Sequence, residues 1–300
     1  MTALSVSDLV EDKKIWPLLF TFLGLLAASS AVFNYFMIHM GLLRYYVAGF
    51  MCTPFLSAFL TLKIYKIPLS HLGLNGTASK YNIISYFLPL FYGLVAYGIV
   101  WGFGLGGLIN EKFLDGISYK LGLNDWPLLS TLIFGTIFLS SIGALWHIIT
   151  AAGEEVGWRG FLVPILMRKF NFVQTSIISG LIWAVWHYPL IMYTTYNSGP
   201  DNMLFQLACF TVLYVGMSFI FTYYRLKAAS VWPAIMLHAG HSVFILTQLN
   251  YMTVKYDVSI FYIGEFGIIL PALMLVVAGI YYRKAKQEGM LPAITDRVKD

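Results

Sequence analysis

Two adjacent carboxylates and an arginine one helical turn on, Glu154, Glu155 and Arg159, sit in the run Ala-Ala-Gly-Glu-Glu-Val-Gly-Trp-Arg-Gly at the end of an uncharged apolar stretch. On a helix, residues four apart face each other, so Arg159 can hold Glu155 ionised while Glu154 points elsewhere. That separates a structural acid from a reactive one. An exposed Glu-Arg pair at a helix end is the competing reading of this segment alone. Trp183 and His187 are also four apart, in Trp-Ala-Val-Trp-His-Tyr-Pro-Leu, which sets an indole beside an imidazole. A histidine merely satisfied in the core is the plainer alternative there. In His-Ala-Gly-His-Ser, His238 and Ser242 share a face, and Ala239 and Gly240 permit close helix approach beside His241. Together these pieces offer a buried base and imidazole and hydroxyl donors for an oxyanion, the requirements of hydrolysis by an activated water.

Other groups are weighed against blander roles. His147 lies two turns before Glu154 and can line the same cavity, although packing or hydrogen bonding is the plainer reading. Glu265, in apolar sequence near Gly264 and Gly267, reads as a relay or gate residue or as a hydrogen-bonding partner of a neighbouring helix. Cys52 and Cys209 fall in different apolar segments without C-x-x-C spacing and read as packing residues. Glutamate and histidine are acceptable zinc ligands, but no H-E-x-x-H helix is present, so no metal or other cofactor is expected and zinc stays the alternative.

The elements that must position these groups are membrane helices. The chain has 300 residues, 59% hydrophobic and 11% charged, where soluble chains are roughly half apolar and about a quarter charged. Mean hydropathy is +0.73. Apolar blocks of about 18–25 residues match a hydrocarbon core of roughly 30 Å crossed by helices, and their continuity excludes the alternating segments of a barrel. The expected fold is all-α: a polytopic transmembrane bundle of about eight spans, 16–38, 46–63, 83–106, 128–152, 172–193, 203–224, 230–250 and 259–282, in a single integral membrane domain over 1–300. A cleaved leader is the lesser reading of the first block, which follows Asp8, Glu11, Asp12, Lys13 and Lys14.

With both termini cytoplasmic, fifteen of the nineteen Lys and Arg residues fall on the inner side, Arg159, Arg225, Arg297 and Lys299 among them. Residues 283–300 then form a cytoplasmic tail. The scatter of basic residues over short loops excludes a nucleic-acid stripe. One tension is geometric: His187 lies about 22 Å along a helix from Phe172, whereas Glu154 ends its span near the inner face. The sequence therefore predicts that span four starts late or enters obliquely, with residues 156–169 forming a further helical elbow.

In order and spacing, Glu154-Glu155-x-x-x-Arg159, Trp183-x-x-x-His187 and His238-x-x-x-Ser242 resemble the CAAX prenyl protease and bacteriocin-processing (Abi) family of intramembrane proteases. The resemblance covers roughly 125–250, and Leu69-Ser70-His71-Leu72-Gly73-Leu74 has similar texture. It implies that Glu154 acts with His187 to activate water, that Glu155 and Arg159 shape the site, and that His238 stabilises the oxyanion without metal. It departs from the family at Ser242, where an asparagine is usual; water or His241 must then complete the oxyanion hole, or catalysis is weakened. The expected substrate is a membrane-associated or lipidated peptide in contact with membrane lipid. A non-catalytic scaffold or bacteriocin-immunity protein on the same fold is the alternative. A transporter is disfavoured, because spans four, five and seven carry the polar residues without counterpart in the first three.

Overall fold

The computed structural model describes residues 14–74 and 79–293. Asp8, Glu11, Asp12, Lys13, Arg297 and Lys299, invoked above, lie outside the described residues. The fold is all-helical, and the described residues form thirteen α-helices: α1 (Ile15–Met40), α2 (Arg44–Met51), α3 (Thr53–Ile64), α4 (Ser79–Gly102), α5 (Glu111–Leu121), α6 (Leu128–Ser140), α7 (Ala144–Glu155), α8 (Val163–Leu166), α9 (Phe172–Tyr193), α10 (Met203–Ala228), α11 (Trp232–Gly240), α12 (Asn250–Met252) and α13 (Ile269–Gln287). π-helical turns, Val156–Leu162 and His241–Leu249, join α7 to α8 and α11 to α12. Among the described residues, six helical runs are long and apolar enough to cross a membrane. The run from α11 through α12 and helix α13 complete the eight expected segments. Phe91, Ile133, Ile149 and Val276 are more than half exposed, as lipid-facing side chains would be.

The fourth segment differs from expectation in a way that relieves the depth problem. Its helix breaks at Ser141–Gly143, where the Ser141 hydroxyl donates back to the Ile137 carbonyl at 2.6 Å and a Cβ on Gly143 would lie 2.8 Å from the Leu139 carbonyl oxygen. The break is satisfied inside the bundle: Tyr86 Oη donates to the Ser140 carbonyl at 2.6 Å and Gln248 to the Ser140 hydroxyl at 2.9 Å. α7 therefore starts late, and helical structure carries on through Val156–Leu162 to Leu166, roughly 18 Å beyond Glu154. Every residue from Gly153 to Met167 is buried.

Glycine makes that burial possible. A Cβ on Gly153 would lie 2.9 Å from the Met51 carbonyl oxygen, and one on Gly157 would overlap Pro54, so the motif helix rides directly on the junction of α2 and α3. α9 starts at a capping box, Asn171 and Gln174 exchanging side-chain to backbone hydrogen bonds at 2.9 and 3.1 Å. It packs mainly on α10, and α11 packs on α4 and α7. The 3-10 turn Leu69–Leu72 ends at Gly73, whose carbonyl accepts the Val231 amide at 3.0 Å; the Leu74 carbonyl accepts Trp232 Nε1 at 3.0 Å.

Four expectations need correction. The last span begins at Ile269, because residues 262–268 loop back, with the Ile268 amide donating to the Phe261 carbonyl and Gly264 at φ +72°. Glu265 therefore lies in a buried loop. Arg159 and Arg225, counted as inner-loop charges, are buried in the bundle. Cys209 is buried, but Cys52 is exposed, touching Gly153 through its backbone and Sγ.

Candidate active site

The motif residues converge. Glu155 and Arg159 are fully buried, and Arg159 Nη1 donates to both Glu155 oxygens at 3.1 and 3.0 Å. Arg159 Nη2 donates to the Ser218 hydroxyl at 3.2 Å, and the guanidinium lies 4.2 Å from the Trp183 ring and 3.9 Å from that of Phe221. Such a pair must recover a large desolvation cost through geometry and additional donors, which the bidentate bond and the two aromatic faces supply. The paired carboxylate has a second partner, His238 Nδ1, 2.9 Å from Glu155 Oε1. A carboxylate there accepts the Nδ1 proton, which leaves His238 Nε2 for the cavity.

Glu154 is treated differently from its neighbour. Its Oε2 accepts Trp183 Nε1 at 2.8 Å and Trp158 Nε1 at 3.4 Å, and among the described residues no cation is paired with it. Oε1 is left to other partners. The pairing read from the spacing is observed: Arg159 holds Glu155, and Glu154 points elsewhere, to the indoles. His187 Nδ1 lies 2.9 Å from the Trp183 carbonyl. A carbonyl can only accept, so Nδ1 carries the proton and Nε2 is the basic nitrogen. Trp183 is the hub: it bonds Glu154, and its ring centroid lies 6.3 Å from that of His187 and 5.5 Å from that of His238.

These groups line a cavity of about 230 Å³ with Ser242, His147 and His241. His147 Nε2 meets the Thr247 hydroxyl at 3.3 Å. His241 is engaged at both nitrogens, Nδ1 with Tyr92 Oη at 2.6 Å and Nε2 with Glu265 Oε1 at 3.3 Å. It therefore has no free N–H for an oxyanion, which removes one of the options for completing a hole at Ser242. Trp146 and Thr150 of α7 and Val47 and Met51 of α2 also line it. Among the described residues, no three His, Cys, Asp or Glu side chains converge as a metal-binding set.

The motifs missed several residues. Trp158, four residues after Glu154, donates to it at i, i+4 spacing that the sequence offered and the motif reading passed over. Tyr92, Tyr196 and Tyr214 come from three separate elements, and nothing distinguishes them among 20 tyrosines in the sequence.

Residues 136–244 match the family described as Rce1-like, type II CAAX prenyl endopeptidase Rce1-like. That span contains Glu154, Glu155, Arg159, Trp183, His187, His238 and Ser242. The likeness to the CAAX prenyl protease family is thereby shown. CAAX prenyl protease 2 of Methanococcus maripaludis is 27% identical over 157 residues, 50% of this chain and 55% of the relative. The matched stretch thus spans about half the length of that CAAX prenyl protease. Glu265 and the chain after Phe244 lie beyond the family match.

Proposed function

We propose that the chain is a glutamate-type intramembrane endopeptidase acting on membrane-associated or lipidated peptides. The observation that carries this reading is the meeting of Glu154, His187 and His238 in one buried cavity, each with one polar atom already committed and another left to face it. A water held by Glu154 Oε1 and His187 Nε2 loses a proton to this pair as its oxygen attacks the scissile carbonyl. The developing oxyanion takes a hydrogen bond from a proton on His238 Nε2, while Glu155 and Arg159 fix that ring. The proton gathered by the base passes to the leaving amine as the C–N bond breaks. The products are a carboxylate and an amine.

Among the residues at hand the chemistry needs no metal, and zinc is the alternative that a chelator tests. The similarity to a protein called CAAX prenyl protease 2 supports a prenylated peptide as substrate. The bias of Lys and Arg supports both termini in the cytoplasm; with the buried Arg159 and Arg225 set aside, thirteen inner basic residues still face four outer ones. Ser242 and the engaged His241 favour a second reading, a non-catalytic scaffold on the same fold.

The test is cleavage of a panel of membrane-anchored and prenylated peptides by purified protein and by Glu154→Ala, with and without chelator. Loss of the general base should lower the rate by roughly 10²–10⁴-fold, with no effect of chelator on the parent protein. Cleavage that survives Glu154→Ala would remove the proposed base. Inhibition by chelator would favour the metal mechanism.

A further inference from the structure

Hydrolysis uses one water per turnover: its oxygen ends in the new carboxylate and its protons are shared between the products. Much of the catalytic cavity's wall is apolar, with Leu42, Val47, Phe50, Met51, Leu190 and Met217 turned toward it. Water must nevertheless reach Glu154. A second cavity, about 570 Å³, lies beneath the loops that follow α9 and α12, and its wall includes Asn197, Ser198, Asn250, Lys255, Tyr256 and Glu265. Tyr196 and Leu246 line both cavities.

Hydrogen bonds cross the partition at two places. The Glu265 carboxylate, 2% exposed, accepts Tyr196 Oη at 2.8 Å and Tyr214 Oη at 3.1 Å and meets His241 Nε2 at 3.3 Å. Tyr214 and His241 belong to the catalytic wall. The second crossing joins Thr247, on the far side, to His147, on the catalytic side. The π-helical run His241–Leu249 explains why one short segment supplies so much of the partition. Its i to i+5 bonding stacks residues five apart, bringing His241 and Leu246 to one face.

We propose that the second cavity is the water inlet of the catalytic cavity, and that Glu265 is the positioning residue that keeps its hydrogen-bonded partition in place. The inference rests on the hydrolytic reading above. A carboxylate serving only to tie α13 to its neighbours has no need to join two cavities, and its partners lie on both sides.

Single cysteines at Leu246 and Tyr196, in a Cys52→Ser, Cys209→Ala background, test the inlet in liposomes exposed on both sides to an anionic methanethiosulfonate. Leu246→Cys and Tyr196→Cys should react, whereas Ala184→Cys, fully buried in α9, should not. Reaction of the two partition cysteines with uncharged N-ethylmaleimide alone would overturn the proposal. In the parent background, Leu246→Trp should lower kcat about tenfold with KM held within about twofold, as expected for a restricted supply of water. An unchanged kcat would overturn the inlet. Glu265→Ala should lower kcat at constant KM and Glu265→Gln, which keeps an acceptor for the tyrosines, should recover it. A loss in kcat that Glu265→Gln fails to recover, tracking a fall in Tm, would make the residue structural and overturn its positioning role. Labelling needs no peptidase activity, so a protein that labels as expected but cleaves nothing overturns the hydrolytic reading and leaves the inlet supported.

Discussion

At the scale of single residues, the adjacent glutamates have different partners: Glu155 pairs with Arg159, and Glu154 accepts from the indoles of Trp183 and Trp158. Glu155 belongs to a buried ion pair, so removing its charge leaves Arg159 uncompensated and should cost about 3–5 kcal/mol of stability. Glu155→Gln should thus lower Tm in detergent, whereas Glu154→Gln, whose amide oxygen still accepts from Trp183, should lose activity with Tm nearly unchanged. Equal shifts in Tm would mean that the two carboxylates are not divided in this way. Ser242 makes a second test. If its short hydroxyl leaves the oxyanion one donor short, Ser242→Asn should raise kcat, given that one such donor is commonly worth about 10²–10³-fold. A fall in kcat would show that serine, or a water on it, already fills the position. The Glu155–Arg159 pair was legible because i, i+4 spacing dictates it. The tyrosine partners of Glu265 were not, because tertiary packing alone brings Tyr196 and Tyr214 to it and Tyr92 to its neighbour His241.

At the scale of elements, glycines decide where the motif helix sits. Gly153 and Gly157 let it touch the α2–α3 junction, and Gly240 brings α11 against the backbone of α4 at Tyr86. Gly157→Ala should cost about 1–3 kcal/mol through overpacking against Pro54. Thermal unfolding would measure it, and a neutral result would mean that the α2–α3 junction yields. The late start of the fourth segment was legible from a length argument, since His187 and Glu154 had to meet. Its cause was not, because Ser140-Ser141-Ile142-Gly143 reads as uninterrupted apolar sequence until Tyr86 and Gln248 are seen to satisfy the break. The loop bearing Glu265 was misread for the same reason: apolar composition signals burial in the membrane but does not distinguish a helix from a folded-back loop.

At the scale of the molecule, the starts of the helices are staggered around the site. His187 is about 22 Å from the start of α9, whereas His238 is only about 9 Å from the start of α11, and both line one cavity. The Gly73–Val231 hydrogen bond ties the Leu69–Leu72 turn to the start of α11. Under the proposed orientation, with the basic residues inside, the starts of α9 and α11 face the cytoplasm and cytoplasmic peptides rather than secreted ones are the expected substrates. In intact cells, Lys112→Cys in α5 should then react with a membrane-impermeant maleimide, and Lys284→Cys near the end of α13 should react only after permeabilisation, each in a background lacking Cys52 and Cys209. The reverse pattern would turn the starts of α9 and α11 outward. It would leave the catalytic geometry unchanged, but the substrates would have to come from the far side of the membrane.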